Sequence, residues 1–448
     1  MPSASAAAAG SVVEFEVVEI APGLRLHLNR EVKLKTTIVE ASLACALDED
    51  PTRTALIPHV LVRGTERLPD ARAISRFLED LYDADLEPDV IRHGDRQAPL
   101  LRLEVAHRRY LPGGGGRADG RDPLREGLAL LGDLFFRPRL DPATDAFPEA
   151  VVRSEKAVLG REIRGLRDDR ADYALERCGE EVARGEPASR YELGSVEDLP
   201  AIEPVDLAAR WRDLVRRYPL DVLVVGDHDL AEVEAALRAG FPLERRARTA
   251  AELAPAAPSR PTARALGTPL HVVVERAQVE QAQLCLGYRT GIGYVAPEYA
   301  ALLVFNAVFG GDGRSRLFQN VREKAGLAYE AASVLDRQKG IVTATLGIDP
   351  ENVARVIGMV EAEATSLARG EIAPGELEDA RKSVLLRLRD LEDDPIFRIG
   401  FERARTLEGR RDVTYVDLVA RVASVTADEI AAVARRAALD TILALAAR

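Results

Sequence analysis

Two pairs of side chains in this sequence carry groups that can serve chemistry. Glu155 and Glu162 lie seven residues apart in a helical stretch, so both carboxylates share one helix face. Two acids so placed can belong to a site; the structural alternative, a solvated or ion-paired face, is the stronger expectation for both. Arg322 and Tyr329 are also seven apart, with Gly326 between them to interrupt the helix, so Tyr329 is expected to begin the next strand. An arginine fork can grip a peptide carbonyl or carboxylate, and a phenol can donate to a developing oxyanion. The structural alternative puts Arg322 in an ion pair with a neighbour and Tyr329 on a core. His27, His93, His107, His228 and His271 show no metal-ligand spacing, and His59 alone is more readily packed or hydrogen-bonded than a ligand. Cys45, Cys178 and Cys285 are far apart and form no C-x-x-C, which reads as reduced, buried thiols of a cytoplasmic protein. The run Gly310-Gly311-Asp312-Gly313 lacks the Lys-Ser/Thr of a phosphate loop and reads as a turn before a helix at Ser315.

The elements that must position these residues can be read from the pattern. With 448 residues, 47% apolar and 30% charged, the chain has the composition of a soluble globular protein of several domains. The net charge of −12, with both signs interleaved, disfavours nucleic-acid binding, and no apolar run is long enough to span a bilayer. Residues Met1 to Gly10 lack the basic start and apolar middle of a secretory signal, and a ragged start is expected there. The stretch Arg245 to Gly267 is rich in Ala, Pro and Arg without periodicity, and reads as an extended linker. It separates a first domain, 1–244, from a second, 268–448.

The two halves repeat one order of elements. In the first, the strand LLRLEVA (100–106) leads through a glycine-rich loop to a helix from Asp122 to Phe136. A helical stretch from Phe147 to Arg167, the pair Asp168-Asp169 and an Arg-rich helix through Cys178 follow. In the second, IVTATLGI (341–348) leads to a helix over Pro350 to Arg369. A turn at Pro374-Gly375, a helix over Glu376 to Leu391, the pair Asp393-Asp394 and another Arg-rich helix follow. The acidic pairs fall in register, so a duplicated domain is expected. Runs such as LRLHLN, LDVLVVG and LHVVVE supply further strands. The fold class predicted is α+β: two homologous domains, each a mixed or antiparallel sheet packed by several helices on one face.

Two segments, Leu56 to Leu86 and Phe309 to Ser333, together with this duplicated layout, resemble the pitrilysin/insulinase family of zinc peptidases, which includes the mitochondrial processing peptidases. The likeness spans nearly the whole chain, and the first segment looks closest to inactive-type bacterial members. Active members carry H-x-x-E-H on a helix of the first domain. Two histidines four apart hold zinc there, and the glutamate takes a proton from the metal-bound water. By resemblance the corresponding window is His59-Val60-Leu61-Val62-Arg63. His59 stands at the first ligand, Val62 replaces the base, and Arg63 replaces the second histidine. A like charge about 4 Å from a cation costs on the order of 4 kcal/mol at an effective dielectric near 20. By the same likeness Glu162 matches the third ligand and Glu155 a supporting carboxylate, while Arg322 and Tyr329 match a pair that contacts substrate.

The resemblance therefore implies a chain that binds no zinc itself and pairs with a similar-sized subunit bearing an intact H-x-x-E-H. Zinc would reside in that partner, and the substrate would be a peptide, with no nucleic acid and no membrane involved. One rival is a scaffold or binding protein of the same fold. Another is a peptidase with a rearranged site.

Overall fold

The computed structural model describes residues 13–111, 122–242, 253, 259–277 and 281–447. The ragged start expected at Met1 to Gly10, the glycine-rich loop after Ala106 and most of the Arg245 to Gly267 segment lie outside them.

The first half runs β1 (Glu16–Ala21), β2 (Leu24–Arg30), β3 (Thr36–Leu43), β4 (Cys45–Ala46), α1 (Pro51–Leu61), α2 (Ala71–Asp80), β5 (Asp85–His93), β6 (Arg96–Ala106), α3 (Pro123–Phe136), α4 (Glu149–Gly165), α5 (Arg170–Val182), α6 (Pro204–Arg217), β7 (Leu220–Gly226) and α7 (Leu230–Gly240). The second half runs β8 (His271–Ala277), β9 (Ala282–Arg289), α8 (Tyr299–Phe309), a π-helical segment (Leu317–Lys324), β10 (Ala328–Asp336), β11 (Ile341–Ile348), α9 (Val353–Ala368), α10 (Pro374–Asp393), α11 (Pro395–Leu407), α12 (Tyr415–Ser424), α13 (Ala427–Arg436) and β12 (Ala438–Ala447).

The expected duplication is visible in strand pairing. In the first sheet β2 lies parallel to β7, which continues antiparallel to β3, β6 and β5. In the second, β8 lies parallel to β12, which continues antiparallel to β9, β11 and β10. The same order and the same single parallel step occur twice, with β1 added beside β2. The acidic pairs become helix N-caps: the Asp169 carboxylate accepts from Ala171 and Asp172 N–H, and that of Asp394 from Ile396 and Phe397 N–H. Pro374, expected in a turn, is instead the first residue of α10, where its missing N–H costs nothing.

Helices on one face of each sheet were expected, and here the structure differs. Along β9, Leu284 and Leu286 enter the second core, whereas Cys285 points to the opposite face and meets Cys178 and Val182 of α5. Gly287 keeps that approach open, since a Cβ there would fall 2.2 Å from Val182 Cγ2. Along β7, Val222 and Val224 enter the first core, whereas Leu223 and Val225 meet Ile399 of α11. Each half lends its helix after the acidic pair to the outer face of the other half's sheet. Strands buried on both faces read as continuous apolar runs, as LDVLVVG does.

Candidate functional site

Helix α1 begins at Asp50, whose carboxylate accepts from Arg53 N–H at 3.3 Å, with Pro51 in the first turn. It closes at Leu61: Val62 N–H bonds back to Pro58 O at 3.4 Å, and Arg63 N–H to Val60 O at 3.1 Å. His59 is thus within the helix, while Val62 caps it and Arg63 lies beyond. An i, i+4 ligand pair needs both residues on continuous helix. The window His59 to Arg63 does not meet that condition. The only five-residue window ending or starting at His59 that lies within α1 is Ala55-Leu56-Ile57-Pro58-His59. In either register the position of the base, Val62 or Pro58, holds a side chain that cannot accept a proton.

Helix α4 crosses beside α1. Its stripe Val152, Glu155 and Leu159 is buried, and Glu155 is only 2% exposed. The Arg63 fork closes on it: Nη2 donates to Oε2 at 3.1 Å, and Nε lies 2.9 Å from Oε1. Glu155 is therefore neutralised by the residue expected to oppose a dication. Glu162, two turns further along, is exposed. His59 is half-buried between these groups. Burial pushes its imidazole pKa down and Arg63 adds to this, while Glu162 and Glu155 oppose without prevailing. The structure brings His59, Arg63, Glu155 and Glu162 together, but as an arginine–carboxylate pair with a neutral histidine beside it. Among the described residues no group of three or more His, Cys, Asp or Glu is arranged to hold a metal ion.

The second candidate pair is built differently. Arg322 sits near the end of the π-helical segment, whose wide turns carry Ala325 N–H to Asn320 O at 3.2 Å. Its guanidinium lies 4.6 Å from the centroid of the Phe318 ring and 3.8 Å from Glu323, and is 41% exposed. Gly326, at φ +63°, turns the chain out of the helix, and Tyr329 is the second residue of β10, as expected. Tyr329 is 64% exposed, so it does not cap a core. The glycine run before this segment is a turn: Asp312 accepts from Arg314 N–H at 2.9 Å, and Gly310 O accepts from Ser333 N–H at 2.8 Å.

Cys45, Cys178 and Cys285 are all buried, as expected, and burial pushes the thiol of Cys45 up to about 12. No helix among the described residues is long and apolar enough to cross a membrane. Sequence reasoning passed over His27 as lacking ligand spacing. The structure seats it between Asp221 and Glu402, 194 and 375 residues away, which no local pattern could have joined.

The two sheets with exchanged helices define a duplicated α+β fold. Residues 210–384 match the family described as the Peptidase M16 inactive domain. A probable inactive metalloprotease of Bacillus subtilis is 30% identical over 94% of this chain and 95% of its own length. An uncharacterised zinc protease of Mycobacterium tuberculosis is 31% identical over 63% of this chain and 64% of its own. A conserved protein from Enterococcus faecalis superposes with a TM-score of 0.86 at 25% identity, covering 97% of this chain and 99% of that one. A peptidase M16 inactive domain from Pseudomonas fluorescens gives 0.75 at 19%, covering 97% and 98%. The chain belongs to the M16 family of metallopeptidases, the pitrilysin/insulinase family, and is an inactive-type homologue within it.

Proposed function

We propose that this chain is the non-catalytic subunit of a two-chain zinc peptidase, lending Arg322 and Tyr329 to a partner that holds the metal. The observation that carries the reading is the exposure of Tyr329. An aromatic ring 64% open to solvent at the head of a strand has no packing role to account for it. Arg322, its fork spent on no buried carboxylate, stands on the same segment with Phe318 beneath it. In this reading the guanidinium grips a peptide carbonyl and the phenol donates to the oxyanion that forms when zinc-bound water attacks. The partner is a similar-sized chain with intact H-x-x-E-H, zinc belongs to it alone, and the complex works in the cytoplasm. Residues 1–244 and 268–448 act as the two domains, with 245–267 as the linker between them.

The test is reconstitution of this chain with a zinc-bearing M16 chain from the same organism, followed by hydrolysis of an unfolded peptide. A mixture faster than either chain supports the reading. A mixture no faster than the zinc chain alone leaves a scaffold of the same fold.

A further inference from the structure

His27 on β2 is fully buried, and both of its ring nitrogens face carboxylates. Nδ1 is 2.9 Å from Oε1 of Glu402 on α11, and Nε2 is 3.0 Å from Oδ1 of Asp221 on β7. An ionised carboxylate only accepts, and a neutral imidazole carries a single N–H. One of the two contacts would then set lone pair against lone pair, so the geometry requires both nitrogens to be protonated. We propose that His27 is a buried imidazolium clasp between the two halves of the molecule, and that its deprotonation at alkaline pH loosens the seat of α11 on the first sheet.

The groups around it fit that role. Asp221 is also held by Arg25, Nε at 2.6 Å and Nη2 at 2.8 Å. Glu402, fully buried, receives Arg411 Nε at 3.0 Å, with Arg405 at 3.5 Å and Thr406 Oγ1 at 3.5 Å. Arg405 is itself paired with Glu14 at 3.0 Å, and β1 sets only Val17 opposite His27. The imidazolium thus touches one carboxylate from each half, as Arg405 also does, but unlike a guanidinium it can lose its proton. Flanking contacts across the same seam, Arg398 to Glu31 at 3.0 Å, Arg403 to Glu40 and Arg96 to Glu408 at 3.1 Å, are made by arginines that keep their charge, and His93, also 3.1 Å from Glu408, is held below its ordinary pKa by burial. Titration in the ordinary alkaline range therefore acts on the clasp and leaves them in place.

Burial by itself would lower the His27 pKa, but the bonds and charges of Asp221 and Glu402 outweigh it and hold it above the ordinary 6.5. A raised folded pKa gives stability that is complete below the unfolded value and is lost as pH rises through the folded one.

Hydrogen–deuterium exchange of the full chain, corrected for intrinsic rates, reads the effect. Between about pH 7 and about pH 9.5, protection of α11 should fall roughly tenfold or more relative to α3, whose leucines lie in the first apolar core. His27→Gln should abolish that pH dependence and leave α11 poorly protected throughout. Wild-type protection of α11 that tracks α3 across the range overturns the proposal, as does a His27→Gln chain with unchanged pH dependence. Should His27→Gln not fold, ring-nitrogen NMR of the wild type decides: both nitrogens protonated at about pH 7.5 supports the clasp, and a neutral ring refutes it.

Discussion

Arg63 in the first half and Arg322 in the second are equally exposed, 41% each, yet they are in opposite situations. Arg63 lays its fork on a carboxylate that is 2% exposed, so the pair closes the place where metal ligands would have to converge. Among the described residues Arg322 has only the solvent-facing Glu323 at 3.8 Å and the face of Phe318. Exposure of the arginine does not separate a structural role from an available one. Burial of its partner does, because a buried carboxylate cannot be left without a donor, whereas an exposed one turns to water.

That contrast can be broken by substitution. Arg63→Ala strands Glu155 and should cost about 1–3 kcal/mol in urea denaturation, the lower end applying to the extent that water enters beside the half-exposed site. Arg63→Ala with Glu155→Leu should recover much of the loss. A single variant as stable as wild type would show that the pair does not seal the site. Val62→Glu with Arg63→His supplies the missing base and histidine in the window set out from the resemblance. Because residue 63 lies past the end of α1, zinc in that variant should stay at background by elemental analysis, and stoichiometric zinc would show that the helix end is not decisive. By contrast, Arg322→Ala and Tyr329→Phe should each shift stability by no more than about 0.5 kcal/mol, as at surface positions without a buried partner. A larger loss would return the pair to a structural role. The smallest effect concerns His59. Its folded pKa is lowered, so the unfolded chain takes up the proton first and stability falls as pH drops below 6.5 toward the folded value. His59→Gln should flatten that part of the pH–stability curve; an unchanged slope would place the titration elsewhere.

Much of the scaffold is legible in the residues. LLRLEVA, IVTATLGI and LDVLVVG are the strands β6, β11 and β7, and the acidic pairs at 168–169 and 393–394 mark equivalent helix starts because Asp caps the free N–H groups there. Gly326 signals the helix exit that delivers Tyr329 to β10, since only that residue adopts a positive φ there without strain. The exchange of α5 and α11 between sheets is not legible. A strand buried on both faces shows a continuous apolar run whatever covers it, and nothing local tells which half supplies the cover. The end of α1 is hidden for a related reason: no glycine or proline follows Leu61 at once, and the last turn closes on ordinary residues. Arg63 and Glu155 are 92 residues apart and His27 and Glu402 are 375 apart, so their union follows from the fold. Of the candidate site, the chemistry of each residue could be named in advance; which pair is closed and which is open required the packing around it.

The central claim is that the open pair acts on a partner's substrate. Its most direct test is steady-state peptide hydrolysis by the reconstituted two-chain complex, comparing wild type with Arg322→Ala and with Tyr329→Phe at equal complex concentration. The account predicts that kcat falls roughly 10²-fold for either change, the usual loss on removing one oxyanion donor, with assembly of the complex unaltered. Turnover equal to wild type in a fully assembled complex would contradict it.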